Sequence, residues 1–387
     1  MASPVPKPGF EKQEKPRGIG QRTVGFWDRV TEGLALAQLW AQFKNEAQSG
    51  YRLYSREMPH EELEGKTRGQ RFRKIAGALF WAILNKLSPA RRIVLLIGVA
   101  LLISPTFHLG TISLESDSLH VWGGLIILGL FLLEVADRVT LKRDLQIARE
   151  IQNWLIPQNP PPVTGLDIAF FNRPANTVAG DYYDVFCRKC STNNADGPFV
   201  IAVADVAGKS LPAALLMATF QASLHTLSAQ PGSLVELTCA LNRFACEHSS
   251  GGRRFTTAFL AEYNPESGGL TYINAGHNAP ILQRANGTVD RLDKGGLPLG
   301  IMLDSTYDSG TSVIHPGDVL MVFTDGLIEA VNAAGEEYGE ARLLSNLFAN
   351  RACDAKELIA RITRVLDFFV AMTPQHDDIT CLVARKL

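Results

Sequence analysis

A chain of 387 residues, 46% hydrophobic and 20% charged, can bury at least one large core, which excludes a disordered protein and leaves room for two or three structural regions. Its net charge of −1 is unevenly spread, because the stretch through Arg92 is net basic and the remainder net acidic. A nucleic-acid binder would carry its basic surface on the main domain, so the asymmetry points to a basic segment beside anionic lipid headgroups and no nucleic acid is expected as a partner.

Residues 1–22, rich in Pro, Gly, Lys and Glu, read as a disordered start. Across 26–43 the residues Phe26, Val30, Leu34, Leu39, Trp40 and Phe43 recur near helical spacing and predict an amphipathic helix. No sensor domain is recognisable before residue 90. The run 93–114 has no charge, follows Arg91 and Arg92, and is long enough to cross a hydrocarbon core of about 30 Å; Pro105 would kink such a helix rather than forbid it. A second run, 119–133, is shorter, stops at Glu134, and spans only if its ends reach into the interface. Residues 91–136 are thus read as two candidate transmembrane helices. The loop between the runs has Glu115 and Asp117 but no Lys or Arg. Arg71, Arg73, Lys74, Lys86, Arg91 and Arg92 precede it and Arg138, Lys142 and Arg143 follow, which puts both flanks, including residues 1–90, on the cytosolic side. A buried helical hairpin in a soluble protein is the alternative.

In the stretch 137–158, Leu141, Leu145, Ala148, Ile151 or Gln152, and Leu155 step by three and four. This predicts a linker helix whose seam either pairs two copies as a short coiled coil or packs on its own domain. Pro157, Pro160, Pro161 and Pro162 then end it. Beyond Gly165 short β-like runs appear at 166–171, 199–206, 255–263, 270–274, 318–324 and 379–383, with helical stretches at 212–228, 233–248 and 355–372. Strands in neighbouring pairs with helices clustered between them favour an α+β sandwich over a doubly wound parallel sheet. Residues 159–387 make one domain of ordinary size. Cys187 and Cys190 form a lone CxxC; without a second pair or a thioredoxin-like pattern it reads as a polar loop.

Four segments place aspartate at or beside the end of an apolar run: Ala179-Gly180-Asp181-Tyr182-Tyr183-Asp184, Ala204-Asp205-Val206-Ala207-Gly208-Lys209, Thr324-Asp325-Gly326 and His376-Asp377-Asp378-Ile379-Thr380. Strand ends can bring such distant carboxylates to one sheet edge, where like charges repel unless cations lie between them. Carboxylates without a His-rich or Cys-rich set select Mg²⁺ or Mn²⁺ before Zn²⁺. Two such ions could activate a water and clamp phosphate oxygens. An isolated Thr-Asp-Gly is an ordinary turn; the set and its order carry the reading.

That set resembles the stage-II-sporulation-E/RsbU-type branch of the metal-dependent protein phosphatases, the family that includes protein phosphatase 2C. The resemblance begins at Ile147-Ala148-Arg149-Glu150-Ile151-Gln152 and Leu155-Ile156-Pro157. It continues through Arg173-Pro174-Ala175, the four aspartate segments and Asn274-Ala275-Gly276-His277-Asn278-Ala279-Pro280. It implies an αββα sandwich of the protein phosphatase 2C type, preceded here by the transmembrane hairpin and linker helix. Asp205 would bridge two Mn²⁺ or Mg²⁺ ions, with the Val206 carbonyl contributing, Asp325 and Asp377 completing the shell and Asp181 beside it. Asp184 and Asp378 are weaker candidates, Asp378 taking the place of the family's Asn. Ala179 replaces a usual second Gly, and Ser210 a usual Gly after Gly208-Lys209. His277 is read as a proton carrier or a structural group, and Lys209 as a phosphate contact or a solvated charge.

The implied activity is hydrolysis of phosphoserine or phosphothreonine by metal-activated water, on a phosphorylated protein such as a STAS-domain antagonist of an anti-sigma factor. The implied place is the cell inner membrane, with a possible homodimer through the linker helix. The rivals are a catalytically inactive scaffold and a two-metal hydrolase of a small phosphoester.

Overall fold

The computed structural model describes residues 87–103, 108–109, 112–113, 116–188, 197–248 and 254–387, with Trp81 and Leu84. The expected disordered start and the helix over 26–43 lie outside the described residues, as does Cys190 of the CxxC. The chain divides into two units, residues 1–135 and 136–387.

In the first unit, α1 (Pro89–Ile103) is followed by the two-residue strands β1 (His108–Leu109) and β2 (Ile112–Ser113), paired antiparallel, and by α2 (Ser116–Leu155), which continues into the second unit. The expectation of one helix through 93–114 therefore fails. The helix stops two residues before Pro105, as a residue lacking an amide hydrogen and restricting its predecessor dictates. The two apolar helices touch where both carry glycine: a Cβ on Gly123 would stand 2.8 Å from the Gly98 carbonyl oxygen, so only the absent side chain lets the backbones approach. At the other end of the pair, Arg91 Nη1 lies 3.3 Å from Glu134 Oε2. Of the described helices, one stretch, Ser118–Leu155, is long and apolar enough to cross a membrane. Trp122, Leu125 and Phe131 on it are exposed.

The second unit contains β3 (Leu166–Arg173), β4 (Tyr182–Cys187), β5 (Phe199–Val206), α3 (Leu211–Ser228), α4 (Leu234–His248), β6 (Thr256–Tyr263), β7 (Gly269–Ala275), β8 (Ile281–Gln283), β9 (Val289–Arg291), β10 (Gly295–Gly296), β11 (Gly310–Val313), β12 (Val319–Phe323), α5 (Asp325–Ile328), α6 (Gly339–Ala349), α7 (Ala355–Val370) and β13 (Ile379–Lys386). One sheet runs β10-β7-β6-β5-β4 with β11 also on β7; the other runs β3-β13-β12-β8-β9. Period-two alternation builds the layers. On β12 and β13, Leu320, Val322, Leu382 and Ala384 point into the core shared with the first sheet. Met321, Phe323, Cys381 and Val383 point the other way, into a second core under α6 and α7. Helices α3 and α4 pack on the first sheet and α7 on β3 and β13, giving four layers, helix-sheet-sheet-helix, as the α+β expectation required. Helix α7 shows why it forms: Asp354 caps it by accepting from the Glu357 amide, and Leu358, Ile359, Ile362 and Leu366 are buried at helical spacing.

Candidate active site

Strand register delivers the aspartates. Tyr182 pairs with Ala204 between β4 and β5, so Asp181 and Asp205 come to the same end of the first sheet. In the second sheet Phe323 pairs with Cys381, so Asp325, just past β12, meets Asp377 and Asp378, just before β13. Two bonds lock these sheet ends together. The Thr324 hydroxyl, accepting from the Thr380 amide, donates to Asp181 Oδ2 at 2.9 Å; the Gly180 amide donates to Asp378 Oδ2 at 2.6 Å. Sequence reasoning saw Thr324 only as part of a turn; its use is in bridging the sheets.

Gly326 makes the approach possible. A Cβ there would lie 2.0 Å from the Asp378 carbonyl oxygen, so no side chain fits between the end of β12 and the start of β13. Gly180 serves similarly, because its absent Cβ would stand 3.1 Å from the Val206 carbonyl oxygen and 3.2 Å from Ala213. Ala179, by contrast, substitutes for glycine without strain: it has no positive φ, and its amide and carbonyl are both held by the Gln152 side-chain amide at 3.0 and 2.7 Å. Gln152 thus ties the end of α2 to the loop that carries Asp181. The seam predicted through Gln152 and Leu155 packs on the chain's own domain there. Val139, the seam residue Leu141, Ile147, Ile151 and Trp154 are exposed on this stretch, the last three spaced by four and three.

Ser210 is a different case. Its φ of 67° and ψ of −151° belong to a region that is essentially glycine's, costing about 1–3 kcal/mol for other residues. Ser210→Gly should stabilise the domain by about 1 kcal/mol after glycine's larger unfolded-state entropy is offset, read as a raised denaturation midpoint; an unchanged or lower midpoint contradicts the strain.

The carboxylates occupy an unfavourable electrostatic setting. Asp181 is buried, and burial, then the charge of Asp205, holds its pKa well above the carboxylate range. Asp205 is pushed up to about 7 by burial first and then by Asp325, Asp377 and Asp378. Asp325 is raised by burial and Asp377. Asp378 is raised by burial against the pull of two amides, Ala175 at 2.7 Å and Gly180, that donate to it. Its oxygens are committed to backbone, which leaves Asp377 to face outward; Lys209 Nζ lies 2.9 Å from Asp377 Oδ2. Asp184 points elsewhere, to Tyr182 and His225, each at 2.7 Å, and takes no part. His277 is buried and lowered to about 4 by burial. It bonds Thr257 at 3.0 Å, across the sheet from Asp205, and is neutral near neutral pH. Sequence reading also missed Glu329, one turn past Asp325, whose pKa is raised by burial and then by Asp325.

These shifts fix a pH dependence for the metal-free chain. Between the ordinary carboxylate pKa and about 7, folded Asp205 keeps a proton that the unfolded chain has released, so stability falls as pH rises through that window. Asp181, Asp325 and Asp378 add the same sign. Thermal unfolding in chelator should show a lower midpoint at pH 8 than at pH 5.5; a flat or rising trend refutes the repulsion.

The donor set fits hard divalent cations: carboxylate oxygens that repel one another at the joined sheet ends, with the Val206 carbonyl at the same end of β5. Among the described residues no three His, Cys, Asp or Glu side chains close into a chelating group. Mg²⁺-type ions require no such cage, because they are held by one or two carboxylates and keep several waters.

A helix-sheet-sheet-helix sandwich with aspartates at the joined sheet ends is the architecture of the protein phosphatase 2C class. The fold matches the SiaA-PP2C domain of Pseudomonas aeruginosa with a TM-score of 0.57 at 21% identity, over 65% of this chain and 98% of that one. The family model for stage II sporulation protein E (SpoIIE) matches residues 195–387. Phosphoserine phosphatase RsbU of Bacillus subtilis is 31% identical over 252 residues, 64% of this chain and 71% of RsbU. Protein IcfG of Synechocystis sp. is 29% identical over 65% of this chain, which spans 43% of IcfG. The chain belongs to the SpoIIE/RsbU-type family of the metal-dependent protein phosphatases.

Proposed function

We propose that this chain is a membrane-anchored protein phosphatase that hydrolyses phosphoserine or phosphothreonine on a protein substrate. The observation that carries the reading is the convergence of Asp181 and Asp205 from one sheet with Asp325 and Asp377 from the other, locked by the Thr324 and Gly180 bonds. In this reading Asp205, Asp325 and Asp377, with Asp181 and the Val206 carbonyl, hold two Mn²⁺ or Mg²⁺ ions. Bound there, such ions supply an activated water and neutralise phosphate oxygens. The chain's own part is to preorganise the site: Thr324 orients Asp181, Asp378 pins the Gly180 and Ala175 amides, and Gly326 sets the sheet-end spacing.

Relatives named as a phosphoserine phosphatase support a role in partner-switching signalling, with a phosphorylated STAS-domain antagonist of an anti-sigma factor as substrate. The apolar stretch of α2 and the basic residues flanking it support anchoring in the cell inner membrane with the catalytic domain cytosolic. The exposed Ile147, Ile151 and Trp154 support pairing of two linker helices, and the Gln152 clamp offers a route from that pairing to Asp181. The test is phosphate release from a phosphoserine protein by the full chain in detergent, with Mn²⁺ and with chelator. Release that requires Mn²⁺ supports the reading. Silence with Mn²⁺ bound favours a scaffold, and hydrolysis of free nucleotides in preference to phosphoprotein favours a small-phosphoester hydrolase.

A further inference from the structure

Next to the carboxylates lies a groove of about 480 Å³, reaching from Asp377, Lys209 and Gly326 along α7 to Thr373. Hydrolysis of a phosphate monoester needs oxygen ligands and water, and nothing in that chemistry calls for an apolar trough. Yet Val331, Leu366, Val370 and Ile379 line this one. Phe368, which follows the lining residue Asp367 on α7, and Met372, past the helix end between the lining residues Ala371 and Thr373, are 89% and 94% exposed. The polar groups at the mouth are already engaged: Arg173 Nη1 with Asp367 at 2.6 Å, Lys209 with Asp377, and Gln375 with the Arg173 and Asp377 carbonyls. Glu329, Thr373 and His376 add polar groups to the lining, and the rest of it is apolar.

We infer that this groove receives an apolar side chain of the phosphorylated protein, two or three residues from the phosphoserine, and so selects substrates by sequence. The assignment rests on the phosphatase reading of the site. Continuity singles out that occupant: the groove shares Asp377 and Lys209 with the carboxylate cluster, so whatever fills it lies beside the phosphoryl group being cleaved. An extended chain advances about 3.3 Å per residue. A side chain two or three residues away therefore lies about 7–10 Å from the phosphate, within the length of such a trough. Burying one leucine-sized side chain in an apolar pocket discriminates by about 10–200-fold.

The experiment uses the full chain in detergent with Mn²⁺ and three probes: p-nitrophenyl phosphate and two phosphoserine peptides of equal length. One peptide carries Leu at the second and third positions on either side of the phosphoserine, and the other carries Ser there. The wild type should favour the Leu peptide by at least about 10-fold in kcat/KM, mainly through KM. In Val370→Asn, and separately in the surface variant Phe368→Ser, the ratio of Leu-peptide to p-nitrophenyl phosphate turnover should fall at least about threefold. Equal use of the two peptides by a wild type that cleaves p-nitrophenyl phosphate overturns the groove assignment alone. A wild type inactive on all three probes takes the phosphatase reading down with it. A rise in turnover of the Ser peptide in either variant identifies a segment of the chain itself, or a second copy, as the occupant, and equally overturns the proposal.

Discussion

Asp205→Asn should lower phosphatase turnover by at least about 10³-fold, since in the proposed reading its carboxylate would hold both metal ions as part of a unit whose members are not separable. The same substitution should leave the fold intact and, without metal, make it no less stable. Asp205 is already held near neutrality by burial and by its neighbours, so removing its charge relieves repulsion on Asp181, Asp325 and Asp377. Lost activity with an unchanged or raised unfolding midpoint in chelator is a signature that a merely structural aspartate would not give. Asp377→Asn should follow the same pattern. Asp378→Asn should not: its oxygens accept from Ala175 and Gly180, and an amide in its place keeps one acceptor, so stability should fall while turnover falls by less than about 10-fold. Measuring kcat and unfolding midpoint for all three variants separates ligand from support. Equal behaviour of Asp377→Asn and Asp378→Asn would contradict the division of labour drawn from the hydrogen bonds.

The elements legible in the sequence are those with a sustained period. The strands around Phe199–Val206 and Thr256–Tyr263, and the helices Leu211–Ser228, Leu234–His248 and Ala355–Val370, lie where their apolar patterns put them. What escaped was short or interrupted. Strands β8 to β11 have two to four residues each, too few for alternation to register. Helix α5 is a single turn hidden inside Thr-Asp-Gly. Strand β4, Tyr-Tyr-Asp-Val-Phe-Cys, carries the buried Asp184 in its middle, which disguises it as part of a polar site motif. In the first unit an uncharged run was read as one helix although Pro105 divides it. The site was legible at its carboxylates because each stands at the end of an apolar run. The residues that position those carboxylates were not. Thr324 and Gln152 act through contacts 143 and 27 residues away in sequence, and no local pattern records such partners. Lys209 was left between two roles, and the structure shows a third, an ion pair with Asp377.

Gly326→Ala tests how the site is held, and its expected effect on the fold is the larger of the two. Glycine here is not needed for a left-handed backbone, since Gly326 is absent from the positive-φ positions; it is needed for space. The added methyl would stand 2.0 Å from the Asp378 carbonyl oxygen and 2.9 Å from its carbonyl carbon, and both are backbone atoms with no rotamer to yield. Strands β12 and β13 must then separate at this end, straining the Thr324 to Thr380 pairing and moving Asp325 away from Asp377. Overpacking of this kind costs about 3 kcal/mol. The variant should therefore unfold at a clearly lower denaturant concentration and bind Mn²⁺ more weakly, with turnover at saturating metal partly restored because excess ion offsets a spread ligand set. Titrating Mn²⁺ against both the unfolding midpoint and phosphate release distinguishes this from a global defect. If the methyl is accommodated with wild-type stability and metal affinity, the close approach of the β12 and β13 ends is not what sets the spacing of the carboxylates.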